Sequence, residues 1–387
     1  MRRFAKLPVA AVALAALVGL TACTPAGEGS EREVDPEIAA EIDAALEAIT
    51  GQVLSKGPNG EDPSPFSVTE MTDEQVSEVS ELGLTAAIVM HYGGNDWANA
   101  QIAGLNSEFD RLGIEVIATT DADFDPARQV SDIETVLAQE PDIIVSIPTD
   151  PVATAGAYRR AAEQGVQLVF MDNVPNGFVA GEDYVSMVSA DNFGNGVTSA
   201  YLLARELGGE GEIGIIYHEA DFFVTQQRYD GFKQTITEEF PGIEIVQEQG
   251  IAGPDFAGDA QGVASAMLTR HADLDGIWAV WDVPAEGVMA AARETGRTDI
   301  SIATQDLGTN VAIALARNEM IVGLGAQLPF DQGVAEARLA ALSILGVDVP
   351  PYVAVSSLPV DHDSVLEAWE LVYGSEPPAS VRDAFDE

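Results

Sequence analysis

Side chains that can bond or stack follow one short apolar run after another in this chain. His91, Tyr92, Asn95 and Trp97 follow the run at 86–90, Asp150 follows 143–147, and Asp172 with Asn173 follows 166–171. Further on, His218, Phe222, Phe223 and Arg228 follow 213–217, and Trp281 with Asp282 follows 276–280. Asp306 follows 300–304, and Gln327 follows 321–325. The set mixes flat aromatic rings with carboxylate, amide and guanidinium groups. A sugar presents the matching two faces, an apolar C–H plane for stacking and a ring of hydroxyls that donate and accept. Trp278 falls inside its run and is assigned to the core.

The elements that must hold these residues are legible as an alternation. Apolar runs at 86–90, 114–118, 143–147, 166–171, 213–217, 243–248, 276–280, 300–304 and 321–325 read as strands, and segments such as 97–112, 126–139 and 154–164 have helical spacing. Apolar strands alternating with helices predict a parallel α/β sheet covered on both faces. About a dozen such units exceed one compact doubly wound sheet, so two similar Rossmann-like lobes are the economical architecture. Ligands of such sheets bind beyond the carboxyl ends of the strands, which is where the residues above fall. Ahead of the lobes, Ile38, Ile42, Leu46 and Ile49 are spaced as a short amphipathic helix, 57–65 is a Pro/Gly loop and 72–82 suggests a second helix. No chemistry is expected from this leader, and nothing in it indicates a role.

Composition narrows the partners. The 387 residues include 63 acidic and 18 basic ones, a formal net charge of −45. Nucleic acid and anionic lipid headgroups both need a basic surface, and none is visible. One cysteine, Cys23, excludes an internal disulfide framework and a cysteine-cluster metal site. Gly209-Glu210-Gly211-Glu212-Ile213-Gly214 matches G-x-G-x-x-G, but it follows a helix and opens a strand, the reverse of a dinucleotide fingerprint. Asp121-Ala122-Asp123-Phe124-Asp125 begins like a calcium loop, yet Pro126 replaces the glycine and Asp132 the glutamate that such a loop needs. The histidines at 91, 218, 271 and 362 share no ligand spacing. No cofactor, metal or catalytic constellation is therefore expected.

The amino terminus is an address. Arg2, Arg3 and Lys6 precede an apolar run from Leu7 to Leu20, too short to span a bilayer as a stable helix, and small residues lead into Cys23. Leu20-Thr21-Ala22-Cys23 resembles a bacterial lipobox, in which the cysteine is lipidated and becomes the first mature residue. Residues 1–22 are then a signal peptide, 24–33 a flexible tether, and the protein is extracytoplasmic, held by acyl chains at the outer face of the cytoplasmic membrane.

From about Leu84 to Leu371 the chain resembles the ribose-type solute-binding proteins of ABC importers, of the periplasmic-binding-protein-like I fold. The residues that carry the resemblance are Gly104 with Glu108-Phe109-Asp110-Arg111-Leu112-Gly113, Pro148-Thr149-Asp150, Asp172, Ser189-Ala190-Asp191-Asn192, Gln227-Arg228-Tyr229-Asp230-Gly231-Phe232, Asp306 and Ala326-Gln327-Leu328-Pro329. The resemblance implies two lobes, 84–190 with 328–355 and 191–327 with 356–373, after a leader at 23–83 and before a tail at 374–387. It implies crossings near Ala190-Asp191, Gln327-Leu328 and Val355-Ser356, and a sugar in the cleft between the lobes. Asn95 and Trp97 match sugar contacts of the first lobe, Asp172 a carboxylate for adjacent hydroxyls, Arg228 a guanidinium of the second lobe, and Asp306 and Gln327 a hinge-side polar pair. Tyr92, Asn173, Trp281 and Asp282 complete the expected ligand site. Ribose-binding proteins have arginine where this chain has Asn173, asparagine where it has Ile147, and Asn-Asp where it has Trp281-Asp282, which argues against ribose itself. Another pentose, a hexose, a deoxy sugar or an alditol remains open. The implied protein is a monomeric binding protein with no catalysis of its own, whose partners are a small neutral sugar or polyol and an ABC permease with its ATPase subunit. A sensory receptor that passes a sugar-like signal to a transmembrane partner fits the same lobes, and an extracellular sugar-processing enzyme would need paired carboxylates flanking the ligand.

Overall fold

A computed structural model describes residues 36–220 and 222–387. Cys23, the signal segment and the tether at 24–33 lie outside the described residues. The strands are β1 Thr85–Met90, β2 Glu115–Asp121, β3 Ile143–Ser146, β4 Gln167–Met171, β5 Ser186–Ala190, β6 Glu210–His218, β7 Gly242–Ile251, β8 Leu274–Ala279, β9 Ser301–Gln305, β10 Ile321–Ala326, β11 Tyr352–Val355 and β12 Leu358–Val360. They form two six-stranded sheets, ordered β11-β5-β4-β3-β1-β2 and β12-β10-β9-β8-β6-β7. Each central strand is buried on both faces, as in a parallel sheet covered by helices.

All pairings are parallel except one. β12 runs antiparallel to β10, where a wholly parallel sheet was expected. The reason is its route: β11 ends at the hinge, the chain crosses there through Ser356 and Ser357, and β12 leaves the hinge at which β10 arrives. The other two crossings are equally short. β5 ends at Ala190 and the helix Asn192–Leu207 packs against β10 and β9, whereas β10 ends at Ala326 and the helix Pro329–Ile344 packs against β5 and β4.

Residues 36–83 are not a free leader. In the helix Pro36–Ile49, Ile42 and Leu46 enter the core of the second sheet's lobe, and the Asp43 carboxylate lies 3.2 Å from Arg205. Ser64 exchanges backbone hydrogen bonds with β11 at its edge. Val79, with the partly buried Phe66, Met71 and Val76, then joins the core of the first sheet's lobe. Between them, Leu54 and Ser55 bond the carboxylate of Asp191 at the hinge. The segment is a strap that passes from one lobe to the other, a fourth crossing beside the three above.

Arg228 owes its position to two glycines. The helices Asn192–Leu207 and Phe223–Glu239 touch backbone to backbone, where a Cβ on Gly196 would overlap the Arg228 carbonyl oxygen and one on Gly231 that of Phe193. Gly231→Ala must push the helices apart, which costs about 1–3 kcal/mol. Gly262→Ala, in a helix with open space around the position, should instead be neutral or gain about 0.4–1 kcal/mol. Denaturant midpoints of the two variants check this; equal midpoints would remove the close-approach argument.

Candidate functional site

The carboxyl ends of both sheets face one cavity between the lobes. Its lining comprises His91, Tyr92, Asn95, Trp97, Phe124, Ile147 and Asp172 from the first lobe and His218, Phe222, Val224, Thr225, Arg228, Trp281, Asp282 and Asp306 from the second, with Gln327 at the hinge. Nine of the ten ligand-site residues expected from the sequence are thus brought together. Asn173 is the correction. It is buried, but its amide donates to the Pro148 carbonyl at 3.0 Å, so it braces the loop after β3 and does not line the cavity.

A continuous hydrogen-bond network forms the polar side. Asp172 is 3% exposed and accepts from Ser189 Oγ at 2.6 Å. Ser189 Oγ in turn accepts from Asn192 Nδ2 at 3.0 Å, and Asn192 Oδ1 accepts from Arg228 Nε at 2.9 Å. Arg228 Nη1 donates to the Val280 carbonyl and, at 2.9 Å, to Asp306, whose other oxygen accepts from Gln327 Nε2 at 2.8 Å. The network joins both lobes through the hinge residues. Asp172 and Asp306 stand just past their strands with φ of 52° and 64°. This left-handed backbone is one that Asp tolerates better than most residues and that recurs at functional sites.

Charge in this cavity is one-sided. Arg228 is paired with Asp306, and among the described residues the carboxylates of Asp172 and Asp282 have no ion-pair partner. Burial pushes Asp172 up to about 6, only partly offset by the Ser189 hydrogen bond and the Arg228 charge. Burial, with repulsion from Asp306, also holds Asp282 well above the ordinary carboxylate range. Asp282 Oδ1 accepts the Val283 amide at 2.9 Å. Asn95 accepts the Ala98 amide at 2.7 Å and so caps its helix, which leaves its NH₂ group for a ligand.

Aromatic rings line the same cavity. His91 stacks on Phe222 at 5.6 Å and 9°, Tyr92 stacks on Phe124 at 5.0 Å and 26°, and Trp281 meets His218 and Phe256 edge-on at 5.5 and 4.9 Å. Both histidines are held neutral. Burial lowers His91 to about 3 and His218 to about 4, aided in His91 by His218 and in His218 by Arg228. The His91–Phe222 stack crosses the cleft, as do edge contacts of Phe124 with His218, Phe222 and Phe256, and Phe222 and Val224 of the second lobe pack into the core of the first. The Thr309 amide also donates to Asp96 across the cleft at 2.6 Å, so the lobes are closed on each other.

Phe124, Val224 and Thr225 were not anticipated as lining; Ile147 was expected only as an apolar residue where the family has an asparagine, and His91, His218 and Phe222 were left undecided. Phe124 was readable: it lies just past β2, and the strand-end rule applied there points to it. Val224 and Thr225 begin the helix Phe223–Glu239, and no periodicity marks which residues of a first turn face a neighbouring lobe.

Comparison with known proteins gives a consistent neighbourhood. The ribose import binding protein of Salmonella typhimurium is 22% identical over 284 residues, which is 73% of this chain and 90% of that protein. An Agrobacterium vitis ABC transporter solute binding protein solved with bound allitol is 24% identical, with a TM-score of 0.66 over 74% of this chain and 98% of its own. A Mycobacterium smegmatis solute binding protein solved with glycerol is 24% identical, with a TM-score of 0.67 over 76% and 98%. These structures share the fold of two sheets about a cleft. The periplasmic binding protein domain matches residues 86–346, from the first strand to the end of the helix that follows the second crossing, and more than half of the chain is thereby placed. On that match the chain belongs to the periplasmic binding protein family.

Proposed function

We propose that this chain is the extracytoplasmic solute-binding component of an ABC importer, taking a monosaccharide or sugar alcohol in the interlobe cleft and delivering it unchanged to the permease. The observation that carries the reading is the cavity itself: aromatic rings line it together with a network of carboxylate, guanidinium and amide groups drawn from both lobes. A polyhydroxy compound that touches both lobes binds the closed form more tightly than the open one, which is the only way a ligand can drive closure. The names and bound ligands of the relatives support the same class, with ribose, allitol and glycerol among them. The carboxylates of the site serve as hydrogen-bond acceptors and not as an acid–base pair, so no turnover is assigned. Cys23 and the charged, apolar and small stretches before it support a lipid anchor, and the partner is a permease with its ATPase subunit, met by a monomer.

The test is thermal. A panel of pentoses, hexoses and alditols should raise the melting temperature with at least one member, since a ligand at 100 times its Kd adds about 2.7 kcal/mol to the folded state. A flat response across the panel, with stabilisation by an amino acid or a nucleoside instead, would overturn the reading.

A further inference from the structure

We infer that Asp96 is a closure latch: in the closed form its carboxylate caps a helix of the opposite lobe and so sets affinity from outside the cavity. The inference rests on the solute-binding reading above and adds a residue to it. The helix Thr309–Ala316 of the second lobe begins without a cap of its own. Its N-cap is Gly308, which has no side chain to turn back on the first amides. The position has no room for one either, because a Cβ there would fall 2.1 Å from Asp282 Oδ2. The missing acceptor comes from the first lobe, where Asp96 Oδ2 takes the Thr309 amide at 2.6 Å. A carboxylate at that point also meets the positive end of the helix dipole.

The place of this bond ties it to the ligand. Asp96 is the first residue of the helix Asp96–Arg111 and stands between Asn95 and Trp97, both of which line the cavity, whereas neither Asp96 nor Thr309 does. On the other side of the cleft, Asp306 lines the cavity three residues before Thr309, and Tyr373 Oη donates to the intervening Leu307 carbonyl at 2.5 Å. A solute seated against Asn95, Trp97 and Asp306 therefore brings the two halves of the latch together. When the lobes part, Asp96 travels with the first lobe and the Thr309 amide turns to water. The cap then counts in the closed form alone, which is the condition for a contact to shift the balance between two forms. The carboxylate also brings a cost, because its charge opposes ionisation of Asp282 and Glu286 in the closed cleft. An amide in its place keeps the acceptor and drops that repulsion.

The experiment compares the purified full chain with Asp96→Ala and Asp96→Asn, by calorimetric titration with ribose, xylose, glucose, galactose, glycerol, xylitol and allitol. For any of these that binds the parent, Asp96→Ala should weaken affinity by about fivefold to thirtyfold, the equivalent of a lost N-cap. The loss should lie chiefly in faster release. Asp96→Asn, whose amide oxygen still accepts, should return affinity to within about twofold of the parent. The ligand-free parent and Asp96→Ala should melt together, since the latch is undone when the lobes part. Affinity left unaltered by Asp96→Ala overturns the latch and leaves the solute-binding reading standing. So does a ligand-free melting temperature that falls on Asp96→Ala as far as the ligand-bound one, because Asp96 would then cap the helix in both forms. Binding of none of the seven by the parent overturns both.

Discussion

Asp172→Asn should abolish tight ligand binding and, at pH 8, make the ligand-free protein more stable. Asp172 lines the cavity, on the proposed function its carboxylate accepts a polyol's adjacent hydroxyls, and hydrogen bonds to a charged acceptor contribute about 1.5–3 kcal/mol each. Loss of charge at two such bonds weakens affinity by roughly 100-fold or more, which titration calorimetry reads directly. The gain in stability comes from the same residue. Asp172 is fully enclosed, and its native value is raised from 3.8 to about 6. A raised carboxylate contributes stability that is complete below about 3.8 and lost as the pH rises through about 6. At about 1.4 kcal/mol per pH unit, the loss reaches about 3 kcal/mol above that window. Asparagine carries no such loss, and its carbonyl can still accept from Ser189 Oγ. The variant should therefore melt several degrees above the parent at pH 8, and the two curves should converge near pH 4. An affinity within threefold of the parent would remove Asp172 from the site, and equal melting temperatures at pH 8 would show that its burial is not opposed by charge.

That trade between binding and stability explains which parts of the site were legible. Asp172, Asp306 and Gln327 are polar residues placed directly after apolar runs, and chemistry at that position contradicts its surroundings unless a ligand or a network answers it; Arg228, inside the helix that follows its run, came from the family resemblance. Trp97, Tyr92 and Trp281 were found by the same rule. Asn173 obeys the rule and still fails, because its short side chain finds the Pro148 carbonyl next door and turns away from the cleft. Phe124 shows the converse: its segment was weighed only as a calcium loop and set aside, and Asp125 caps the helix that follows, which masked the ring beside it. For the fold, the two sheets followed from runs of Ile, Val and Ala. β5, with the sequence Ser-Met-Val-Ser-Ala, carries no such run, because Ser189 is spent on the network that holds Asp172. The antiparallel β12 could not be read from three residues whose direction is set by where the chain crosses.

The strap was the least legible feature, since nothing local in residues 36–83 says what they touch, and it carries the second large prediction. Asp191, 1% exposed, gathers the Leu54 amide at 2.7 Å, the Ser55 amide at 2.8 Å, the Ser55 hydroxyl at 2.7 Å and the Gly194 amide at 2.9 Å. The Ser55 hydroxyl also accepts the Phe193 amide, and the Lys56 carbonyl accepts from Gln227. One carboxylate thus caps the first helix of the second lobe and ties the strap to the hinge. Asp191→Ala leaves three amides unpaired where the chain crosses, at about 1–3 kcal/mol for each that stays dry, so the loss should total roughly 3–6 kcal/mol. Ser55→Ala breaks only the hydroxyl's two bonds and should cost about 1–2 kcal/mol. Denaturant unfolding ranks the two, and equal losses would mean that the strap is not tied at Asp191. The ligand should feel the change as well. Asn192, the next residue, stands between Ser189 and Arg228 in the network that holds Asp172 and Asp306. A helix start released by Asp191→Ala loosens that residue, so affinity should fall by about tenfold although no side chain of the cavity has been altered. The strap and the cavity network are joined at adjacent residues of one hinge, Asp191 and Asn192, and the fall in affinity on Asp191→Ala tests whether the strap helps to set how firmly the two lobes hold a ligand.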